Sequence, residues 1–595
     1  MRCSSKRVSS EGYKTTELNK FTVDQMTEEA RSQVFGLDNL RLAYERCVRD
    51  FYQPDELGRS GFFLFEADLQ GNLARLSEEL CSGDFYPRTP LKYFEPKASG
   101  TLRPKTLLNA EDAIVYQCII DELARQSYAV LQGLDEFVFG QVVKEEVAWK
   151  AQEVLVSDRP LKFYFFERYQ VGWSNFELKQ KTIKKRSDVQ YCLKTDIASF
   201  FSSVNHEVLR STIEKRCDLP DDIVSLLFEC LYKWSGVRDS QCLGVGIPQG
   251  PGASSFLANL LLASLDEDLI ASDVLYMRYV DDIHVFLKDE KDAWDALVQI
   301  DIILQRLGLT LNSSKTRVQC LAEIDDSSQV DVLAVSGVAL RLEEGFGEHS
   351  TEKASDVLPP RTAGLRETAD ELDKEPQSPS DRLSEWQHFS KEVLTDYNEL
   401  VFVHGKVRGP HLDKAQERLW MRRAHYFRRY RDVLRISGQA TLSQCIVGAD
   451  WLRLWTDMIQ AMPHRANHFI WALEGCASVL GFTDAISRAI AVNERHEKIV
   501  FELLVLLSTV PVLGESEIAK HIEGLVKCDS ELARLGYYLL LLKRVEDGSS
   551  ELLDVLDVLR TEKSPLLIAR SLYCRSRNSK ARLDRFVADL TRGLT

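Results

Sequence analysis

The sequence lacks paired cysteines and long apolar runs. Its thirteen cysteines are scattered, and no two of them form a Cys-x-x-Cys pair, which argues against a zinc ribbon and against a disulfide framework. The most apolar stretch, residues 499–507, is interrupted by Glu502 and is too short to cross a bilayer. The first residues lack the apolar segment of a secretion signal. We therefore expect a cytoplasmic protein with no membrane partner.

An overall positive charge, which would indicate a nucleic-acid binder, is also missing. The net charge is −15, with 44% apolar and 28% charged residues, a composition typical of a globular protein. The charges are unevenly distributed, because residues 341–385 carry six basic and twelve acidic side chains, whereas residues 406–435 carry ten basic and three acidic ones. Binding to nucleic acid depends on local patches, so the net charge does not exclude it.

The length of 595 residues predicts more than one domain. Composition and periodicity predict four segments: a flexible polar tail over 1–20, an α+β domain over 21–345, an acidic linker or insertion over 346–385, and an all-α domain over 386–595. Helix start signals recur in the last segment, at Thr483 or Asp484, Ser516, Asp529, Ser549 and Ser564. Their recurrence favours a loose HEAT-like helical repeat, with an ordinary helical bundle as the alternative.

The most informative segment is residues 277–287, where two adjacent aspartates interrupt a run of β-forming residues. This pattern predicts a strand, a turn and a strand, with Asp281 and Asp282 at the tip. Some 85 residues upstream, Asp196 ends another predicted strand. Aspartates at the ends of neighbouring strands of one sheet can hold two magnesium ions about 3.5–4 Å apart. The spacing therefore predicts a two-metal site, although an isolated pair of aspartates is usually only a solvated turn.

Two weaker signals flank these aspartates. A glycine-rich loop over residues 244–252 precedes a predicted long helix, and its glycines would let a ligand approach the backbone closely. Lys315 lies in a turn beyond the second aspartate strand. Most glycine-rich loops are plain turns and most such lysines are solvated, so each signal gains meaning only from the others.

Together, these segments resemble the polymerase motifs of reverse transcriptases in their order and spacing. The matching residues are Asp196 for the first-motif aspartate, Ile247–Gly250 for the loop that braces nucleotide and template, Tyr279–Asp282 for the Tyr-x-Asp-Asp box, Lys315 for the motif that follows, and Lys97–Pro104 for the fingers motif. The resemblance covers roughly residues 35–340. It implies an α+β right-hand polymerase fold with fingers, palm and thumb, in which the basic first part of segment 386–595 would be thumb-like.

The resemblance also implies a set of metal ligands. Asp196 and Asp281 would bind two Mg²⁺ ions, for which Mn²⁺ can substitute, and Asp282 and the backbone carbonyl of Ile197 would assist them. Lys315 is the candidate acid for the departure of pyrophosphate.

The expected substrates are deoxynucleoside triphosphates. Lys97 and Arg103 would clamp the triphosphate, because guanidinium groups suit bidentate phosphate contacts, and Gln249 and Gly250 would brace the base and sugar. Phe201 lies five residues after Asp196, where the family keeps a bulky residue that excludes the 2′-hydroxyl of ribonucleotides. The simpler alternative is that Phe201 and its neighbour belong to the hydrophobic core.

With its helical second half, the whole chain resembles bacterial abortive-infection and defence-associated reverse transcriptases. That resemblance implies an antiphage role and, in some members, template-independent DNA synthesis primed by a protein hydroxyl, which leaves a covalent protein–DNA product. Tyr44 is a candidate for that hydroxyl. The alternatives are a retron-like or group II intron-like enzyme that copies a specific RNA, and a non-catalytic nucleic-acid-binding scaffold.

The basic stretch over residues 418–435 interleaves arginines with aromatic residues. Such a pattern suits a groove that holds the backbone of DNA or RNA while bases stack on the rings. The candidate binding residues are Arg422, Arg423, Arg428, Arg429 and Arg431. An amphipathic helix with a solvated basic face is the alternative, and the helical domain as a whole could also mediate a homo-oligomer.

Overall fold

The computed structural model describes residues 29–50, 62, 65–66, 68–144, 165–167, 169–236, 244–321, 379–404, 412–436, 448–477, 479–510 and 513–546. The predicted tail over 1–20, most of the predicted acidic segment and the helix starts expected at Ser549 and Ser564 lie outside these residues. The chain divides into two compact units. Among the described residues, the first contains those up to Tyr93 and from Pro104 to Leu321, and the second contains Phe94–Arg103 and those from Pro379 to Glu546.

The elements of the first unit alternate between helices and short strands, as the sequence predicts. Its described elements, including the hairpin whose tip belongs to the second unit, are α1 (Leu37–Asp50), α2 (Leu69–Ser82), β1 (Leu91–Pro96), β2 (Leu102–Leu107), α3 (Ala110–Gln132), α4 (Tyr169–Lys184), β3 (Tyr191–Asp196), α5 (Phe200–Ser203), α6 (His206–Arg216), α7 (Asp221–Trp234), α8 (Gly252–Ala271), β4 (Tyr276–Tyr279), β5 (Asp282–Leu287), α9 (Glu290–Arg306) and β6 (Arg317–Cys320).

The sheet of the first unit has four strands in the order β4-β5-β3-β6. Strand β3 lies between β5 and β6, and every pairing is antiparallel. Helix α8 is apolar around most of its circumference, and its buried residues include Phe256, Leu257 and Leu260. A helix that is hydrophobic on all sides is stable only inside a core. It packs against α3, α6 and α9, so it forms the centre of this unit.

Local capping sets where several of these helices begin. The side chain of Asn109 accepts a hydrogen bond from the backbone N–H of Asp112 at the start of α3. Asn205 caps α6 in the same way, because its Oδ1 accepts from the N–H groups of Glu207 and Val208. Such caps satisfy donors that have no partner inside the helix. Asn205, the cap of α6, lies two residues after the end of the short helix α5, which follows Asp196.

Within the described ranges, the regular structure of the second unit is helical apart from the hairpin tip. Its described helices are α10 (Pro379–His404), α11 (Lys414–Ile436), α12 (Ala449–Ala461), α13 (Ala466–Glu474), α14 (Phe482–Val492), α15 (Glu497–Ser508), α16 (Glu515–Lys527) and α17 (Glu531–Glu546). Its core is rich in aromatic rings, among them Trp386, Phe427, Trp451 and Trp455. Ring centroids of Phe427 and Trp451 lie 4.6 Å apart, within the range of favourable aromatic packing.

The observed helix starts lie within two residues of the predicted ones at Phe482, Glu515 and Glu531. Helix α10 begins at Pro379, inside the segment 346–385 that was predicted to be a linker, so the helical part begins earlier than expected. Helix α15 packs against α13, α14 and α17. No helix in the described ranges is both long and apolar enough to span a membrane.

Candidate active site

The predicted strand–turn–strand at the aspartate pair is confirmed. Strands β4 and β5 form a hairpin in which Tyr279 pairs with Asp282, so Val280 and Asp281 make the turn between them. Val280 has a φ of +55°, in the left-handed region that β-branched residues rarely adopt. The turn is therefore held in a strained conformation, and it carries Asp281 at its tip.

Strand β3 brings Asp196 to the same edge of the sheet. Asp196 pairs with Asp282 in the antiparallel register of β3 and β5. One residue beyond, the N–H of Ile197 donates to the backbone carbonyl of Asp281 at 3.3 Å. The sheet thus places the three predicted aspartates together, although they are separated by some 85 residues in the sequence.

The two adjacent aspartates have opposite electrostatic surroundings. Burial, the charge of Asp196 and that of Asp282 raise the pKa of Asp281 to about 6. Burial alone would also raise the pKa of Asp282, but a hydrogen bond from His284 and its charge lower it below the usual value. The atoms involved are His284 Nε2 and Asp282 Oδ1, 3.3 Å apart. Asp282 therefore has a partner within the protein, whereas Asp281 faces other negative charges.

These surroundings decide how the aspartates fit a metal ion. Among the residues that the structure describes, no three His, Cys, Asp or Glu side chains are arranged to hold a metal by themselves. Asp196 and Asp281 nevertheless repel each other, and a cation between them would remove that repulsion. Magnesium commonly takes one or two protein carboxylates and completes its shell with water and phosphate oxygens. This pair fits such an ion better than the predicted set of three.

Asp196 is held from its other side by the loop after α9. The N–H of Asn312 donates to its backbone carbonyl at 2.7 Å, and Asn312 Nδ2 donates to Oδ2 at 3.1 Å. Lys315 Nζ lies 3.0 Å from the same Oδ2. The expected proximity of Lys315 to the aspartates is thus present. Asn312 was missed, although its position three residues before Lys315 in a turn could have suggested it.

The glycine-rich loop joins two parts of the site. The N–H of Ile247 donates to the carbonyl of Phe201 at 2.7 Å, and the N–H of Thr106 donates to the carbonyl of Gln249 at 2.9 Å. Gly250 has a φ of +147°, and a Cβ there would lie 2.6 Å from the carbonyl oxygen of Thr106. Only glycine tolerates this approach. Gln249 and Gly250 are therefore fixed between β2 and the helix that follows Asp196.

Phe201 is half-buried, whereas its neighbour Phe200 belongs to the core. Their rings meet edge to face with centroids 5.7 Å apart. The two aromatic residues that looked equivalent in the sequence thus differ in the structure. The partly open one is Phe201, the residue predicted to contact the sugar.

The hairpin of β1 and β2 carries the residues predicted to bind triphosphate. The N–H of Lys97 donates to the carbonyl of Thr101 at 2.7 Å, and Gly100, with a φ of +80°, completes the turn. Arg103 is exposed and Lys97 is half-buried. Both residues lie in the part of the hairpin that groups with the second unit, and their binding role stays a prediction.

The structure describes the side chains of three of the five arginines predicted to bind nucleic acid on α11, and two of these three have partners within the helical unit. Arg423 is buried, and its Nη2 lies 2.5 Å from Asp396 and 3.1 Å from Glu392. Arg428 lies over the ring of Trp471 at 4.0 Å and pairs with Glu474 at 3.1 Å. Both guanidinium groups thus serve the packing of the helical unit.

Of the remaining predicted arginines, Arg422 is half-buried and burial lowers its pKa. The side chains of Arg429 and Arg431 lie outside the described residues. The pattern of alternating arginines and rings was therefore read wrongly for Arg423, because the acidic residues that neutralise it lie on α10.

Tyr44 is also corrected as a candidate priming residue. Its side chain is buried, and its hydroxyl donates to Glu66 at 3.1 Å. Its ring packs near Phe62 and Phe65 with centroids 6.2 and 6.3 Å away. A hydroxyl held inside a core in this way cannot enter a metal site without local unfolding.

Comparison with known proteins identifies one region. Residues 96–337 match the family model described as reverse transcriptase (RNA-dependent DNA polymerase). The retron Ec48 reverse transcriptase of Escherichia coli is 28% identical over 137 residues, which are 22% of this chain and 31% of that protein. The chain thus spans about a third of the length of this curated relative.

Solved structures of telomerase show only a loose likeness. The apo enzyme of Candida tropicalis truncated from its C-terminal domain gives a TM-score of 0.27 at 15% identity over 41% of this chain and 52% of that one. Telomerase of the same species in complex with a fragment of telomeric RNA gives 0.29 at 12% identity over 79% and 68% of the two chains. These scores do not establish a shared arrangement of the whole chain.

Proposed function

We propose that this chain, which carries a reverse transcriptase domain over residues 96–337, is an RNA-directed DNA polymerase that adds deoxynucleotides at the edge of the four-stranded sheet. One observation carries the proposal. Asp196 ends β3 beside the turn that carries Asp281, and burial together with the charge of Asp196 raises the pKa of Asp281 to about 6. Perturbed carboxylates of this kind are typical of functional sites. The match covers only 31% of the retron relative, so the activity of the whole protein is part of the proposal.

Each residue of the site has a different proposed role in phosphoryl transfer. Two Mg²⁺ ions, when bound by Asp196 and Asp281, would activate the primer hydroxyl and stabilise the departing pyrophosphate. Lys315, already at 3.0 Å from Asp196 Oδ2, supplies a positive charge and a proton donor beside the reacting phosphates. Asp282 stays paired with His284 and contributes negative charge without direct coordination. Positioning and charge neutralisation are the main demands of this chemistry.

The binding of the nucleotide is proposed to depend on the loop at Gln249. The carbonyl of Gln249 accepts a hydrogen bond from Thr106, and the N–H of Ile247 donates one to Phe201, so the loop is attached both to the hairpin strand and to the helix after Asp196. In this interpretation the sheet is the palm and the β1–β2 hairpin belongs to the fingers, where Lys97 and Arg103 would meet the triphosphate.

We test the assignment of the aspartates with Asp281→Asn, Asp282→Asn and Asp295→Asn, the last on an exposed part of α9. Asp281→Asn should reduce nucleotide incorporation by about 10³-fold or more. Asp282→Asn, which removes the carboxylate paired with His284, should reduce it by about tenfold. The control should match the wild type. Incorporation by Asp281→Asn at the wild-type rate would refute the proposed site and would favour a non-catalytic scaffold.

Phe201 is proposed to select deoxyribose. It is half-buried beside the loop that carries Gln249, so its ring can pack against the sugar and clash with a 2′-hydroxyl. Phe201→Val should increase the use of ribonucleotides relative to deoxynucleotides by about tenfold or more, since one such steric contact is commonly worth 1–3 kcal/mol. Phe200→Leu is the matched control in the core. Equal sugar selectivity in both variants would place the gate elsewhere.

The biological setting is proposed to be bacterial antiphage defence by abortive infection. The support is the sequence resemblance of the motifs together with a helical unit of at least eight helices, which we propose to be HEAT-like. Protein-primed, template-independent synthesis belongs to the same proposal, with a hydroxyl other than that of Tyr44. A nucleotide–peptide adduct found by mass spectrometry after proteinase digestion would support it, and product DNA with only free 5′ ends would contradict it.

One observation favours a second candidate, an enzyme that copies one specific RNA. It is the 137-residue match to a retron reverse transcriptase at 28% identity. Sequencing the nucleic acid that copurifies with the protein separates the candidates. A single defined RNA with its complementary DNA would favour the second, and DNA without any templating RNA would favour the first.

A further inference from the structure

A buried arginine stands directly behind the aspartate turn. Arg278 lies on β4, two residues before Val280, and its side chain is fully buried. Its Nε and Nη2 donate to the two carboxylate oxygens of Asp266 at 2.8 and 2.7 Å. The hydroxyl of Tyr276 donates to the same carboxylate at 3.0 Å. The charge of Arg278 is thus balanced inside the core by a residue of α8.

The third nitrogen of this guanidinium reaches the turn itself. Arg278 Nη1 donates to the backbone carbonyl of Val280 at 3.1 Å and to Asn259 Oδ1 at 2.7 Å. Asn259 and Asp266 are seven residues apart on α8 and therefore lie on one face of that helix. The central helix of the unit is in this way connected, through a single side chain, to the residue that precedes Asp281.

Asn259 extends the network to a second segment. Its Nδ2 donates to the carbonyls of Gly140 and Gln141, both at 2.9 Å. That segment packs against the turn, because a Cβ at Gly140 would lie 2.7 Å from Val280 Cγ2 and 2.8 Å from the nitrogen of Val280. Gln141, like Val280, has a positive φ, of +56°. The network therefore forms hydrogen bonds to the backbone carbonyls of Val280 and Gln141. These two residues have positive φ and lie on opposite sides of the contact between the turn and the Gly140 segment.

The strain explains why such a network is needed. A β-branched residue with positive φ is strained and persists only where its surroundings impose that conformation. A buried ion pair contributes little net stability compared with apolar residues of the same shape, so stability alone gives a weak reason for burying Arg278 and Asp266. The geometry of their contacts, in contrast, restrains the carbonyl of Val280 in one position.

The restraint reaches both metal-binding aspartates. Val280 directly precedes Asp281 in the chain. The carbonyl of Asp281 accepts a hydrogen bond from the N–H of Ile197, the residue after Asp196. A turn that relaxed would therefore move Asp281 and loosen its connection to the β3 end. We propose that Arg278, Asn259 and Asp266 are positioning residues that hold the turn at Val280 so that Asp281 stays beside the Asp196 end of β3. This inference rests on the proposed function of these two aspartates.

The test measures metal binding directly, without requiring turnover. Mn²⁺ binding to the full-length protein is followed by the electron paramagnetic resonance signal of the free ion. Arg278→Lys keeps one positive charge but cannot contact Asp266, Asn259 and Val280 together. It should weaken Mn²⁺ binding by about 10–100-fold, as loss of groups that orient metal ligands commonly does. Thermal unfolding is recorded alongside to show that the variant is folded.

A matched control and a rescue distinguish positioning from ordinary packing. Arg216→Lys disrupts a bidentate pair with Glu267 at the surface and should leave Mn²⁺ binding unchanged. Val280→Gly in the Arg278→Lys background should recover most of the lost affinity, because glycine adopts positive φ without restraint. A purely structural role of Arg278 predicts no such recovery. Deoxynucleotide incorporation should follow the same order, with kcat changing more than KM.

A second variant covers the case in which Arg278→Lys does not fold. Asn259→Ser keeps the pair of Arg278 and Asp266 but removes the link to Gly140 and Gln141, and it should weaken Mn²⁺ binding by about tenfold. Mn²⁺ binding equal to wild type in a folded Arg278→Lys or Asn259→Ser variant would overturn the inference. A wild-type protein that neither binds Mn²⁺ nor incorporates nucleotides would instead refute the proposed function on which it rests.

Discussion

At the scale of single residues, the surroundings of a carboxylate determine its role more than its type does. Asp281 and Asp282 are adjacent in the chain, yet the pKa of one is raised by burial and by Asp196, and that of the other is lowered by its contacts with His284. The difference follows from the turn, which leaves Asp281 in the loop and Asp282 in a strand two residues before His284. Alternation along a strand places those two side chains on one face.

Asp112 is another perturbed carboxylate, and it is not one of the residues of the proposed site. It is fully buried, its Oδ2 accepts from Arg88 N and Trp234 Nε1 at 3.0 Å each, and its Oδ1 has no hydrogen-bond partner within the described part of the chain. Burial raises its pKa from 3.8 to about 7. The folded protein therefore holds a proton that the unfolded chain releases between these two pH values.

This perturbation predicts how stability depends on pH. Because the folded state binds the extra proton, the contribution of Asp112 is fully present below pH 4 and is lost as the pH rises toward 7. The loss amounts to at most about 4 kcal/mol. Asp112→Asn should remove this component and stabilise the protein at pH 8, since an amide is neutral and its oxygen can still accept both hydrogen bonds. Denaturant titrations at several pH values, with Asp295→Asn as control, measure the effect, and identical pH profiles would contradict it.

Local sequence was enough to find the aspartates but not the groups around them. The two aspartate strands and the turn follow from alternating apolar residues, and Lys315 follows from the order of motifs. The partners of Arg278 lie on a helix 12 and 19 residues upstream, and those of Arg423 lie on a helix 27 and 31 residues upstream. Such pairings depend on how helices pack, which no local pattern records. For this reason the role predicted for Arg423 was wrong.

At the scale of elements, glycine positions with similar sequence context differ in what they tolerate. Gly250 and Gly244 belong to the same loop and both have positive φ, but a Cβ at Gly250 would meet the carbonyl of Thr106 at 2.6 Å, whereas nothing lies within 4 Å of one at Gly244. A Cβ would therefore collide with β2 at one end of the loop and would have free space at the other end.

Gly250→Ala should therefore be more damaging than Gly244→Ala. The first combines backbone strain with a collision against a strand and should cost about 2–4 kcal/mol, whereas the second carries only the cost of positive φ, about 1–2 kcal/mol. The bond between Thr106 and Gln249 should be weakened in the first variant alone. Thermal unfolding and amide exchange at Thr106 measure both effects. Equal destabilisation by the two variants would show that β2 shifts to accommodate the new Cβ without loss of stability.

The element types of the sequence prediction agree with the structure where the hydrophobic period is strong. The strand, turn and strand around Asp281 and the helices from Phe482 onward were expected. The start of α10 at Pro379 was not, because an acidic, proline-rich composition obscured the helical period there. A HEAT-like repeat stays a prediction, since it depends on regular stacking and the described helices end at Glu546.

At the scale of the whole molecule, the second unit combines segments from distant parts of the chain. Residues Phe94–Arg103 group with the helices rather than with the domain predicted over 21–345. Glu497, buried at the start of α15, accepts from the N–H of Phe94 at 2.7 Å and from the hydroxyl of Ser530. Lys498 pairs with Glu95. No sequence pattern marks these contacts, because they join residues 403 positions apart.

Glu497→Ala should release the hairpin tip. A hydrogen bond to a buried carboxylate contributes about 1.5–3 kcal/mol, so amide exchange at Phe94 should accelerate about 10–100-fold. Glu523→Ala removes an exposed ion pair with Lys527 and should leave that amide unchanged. Exchange at Phe94 that is identical in both variants would mean that other contacts hold the tip by themselves.

The bond between Phe94 and Glu497 also has a consequence during synthesis of the protein. The ribosome must add 403 residues after Phe94 before its partner exists, a delay on the order of 20–80 s at usual elongation rates. Throughout that interval, Glu497 and Lys498, which later bind the N–H of Phe94 and the carboxylate of Glu95, have not yet been synthesised. A nascent chain can therefore fold its four-stranded sheet early, while the tip of the hairpin reaches its final state only after the helices of the second unit have left the ribosome.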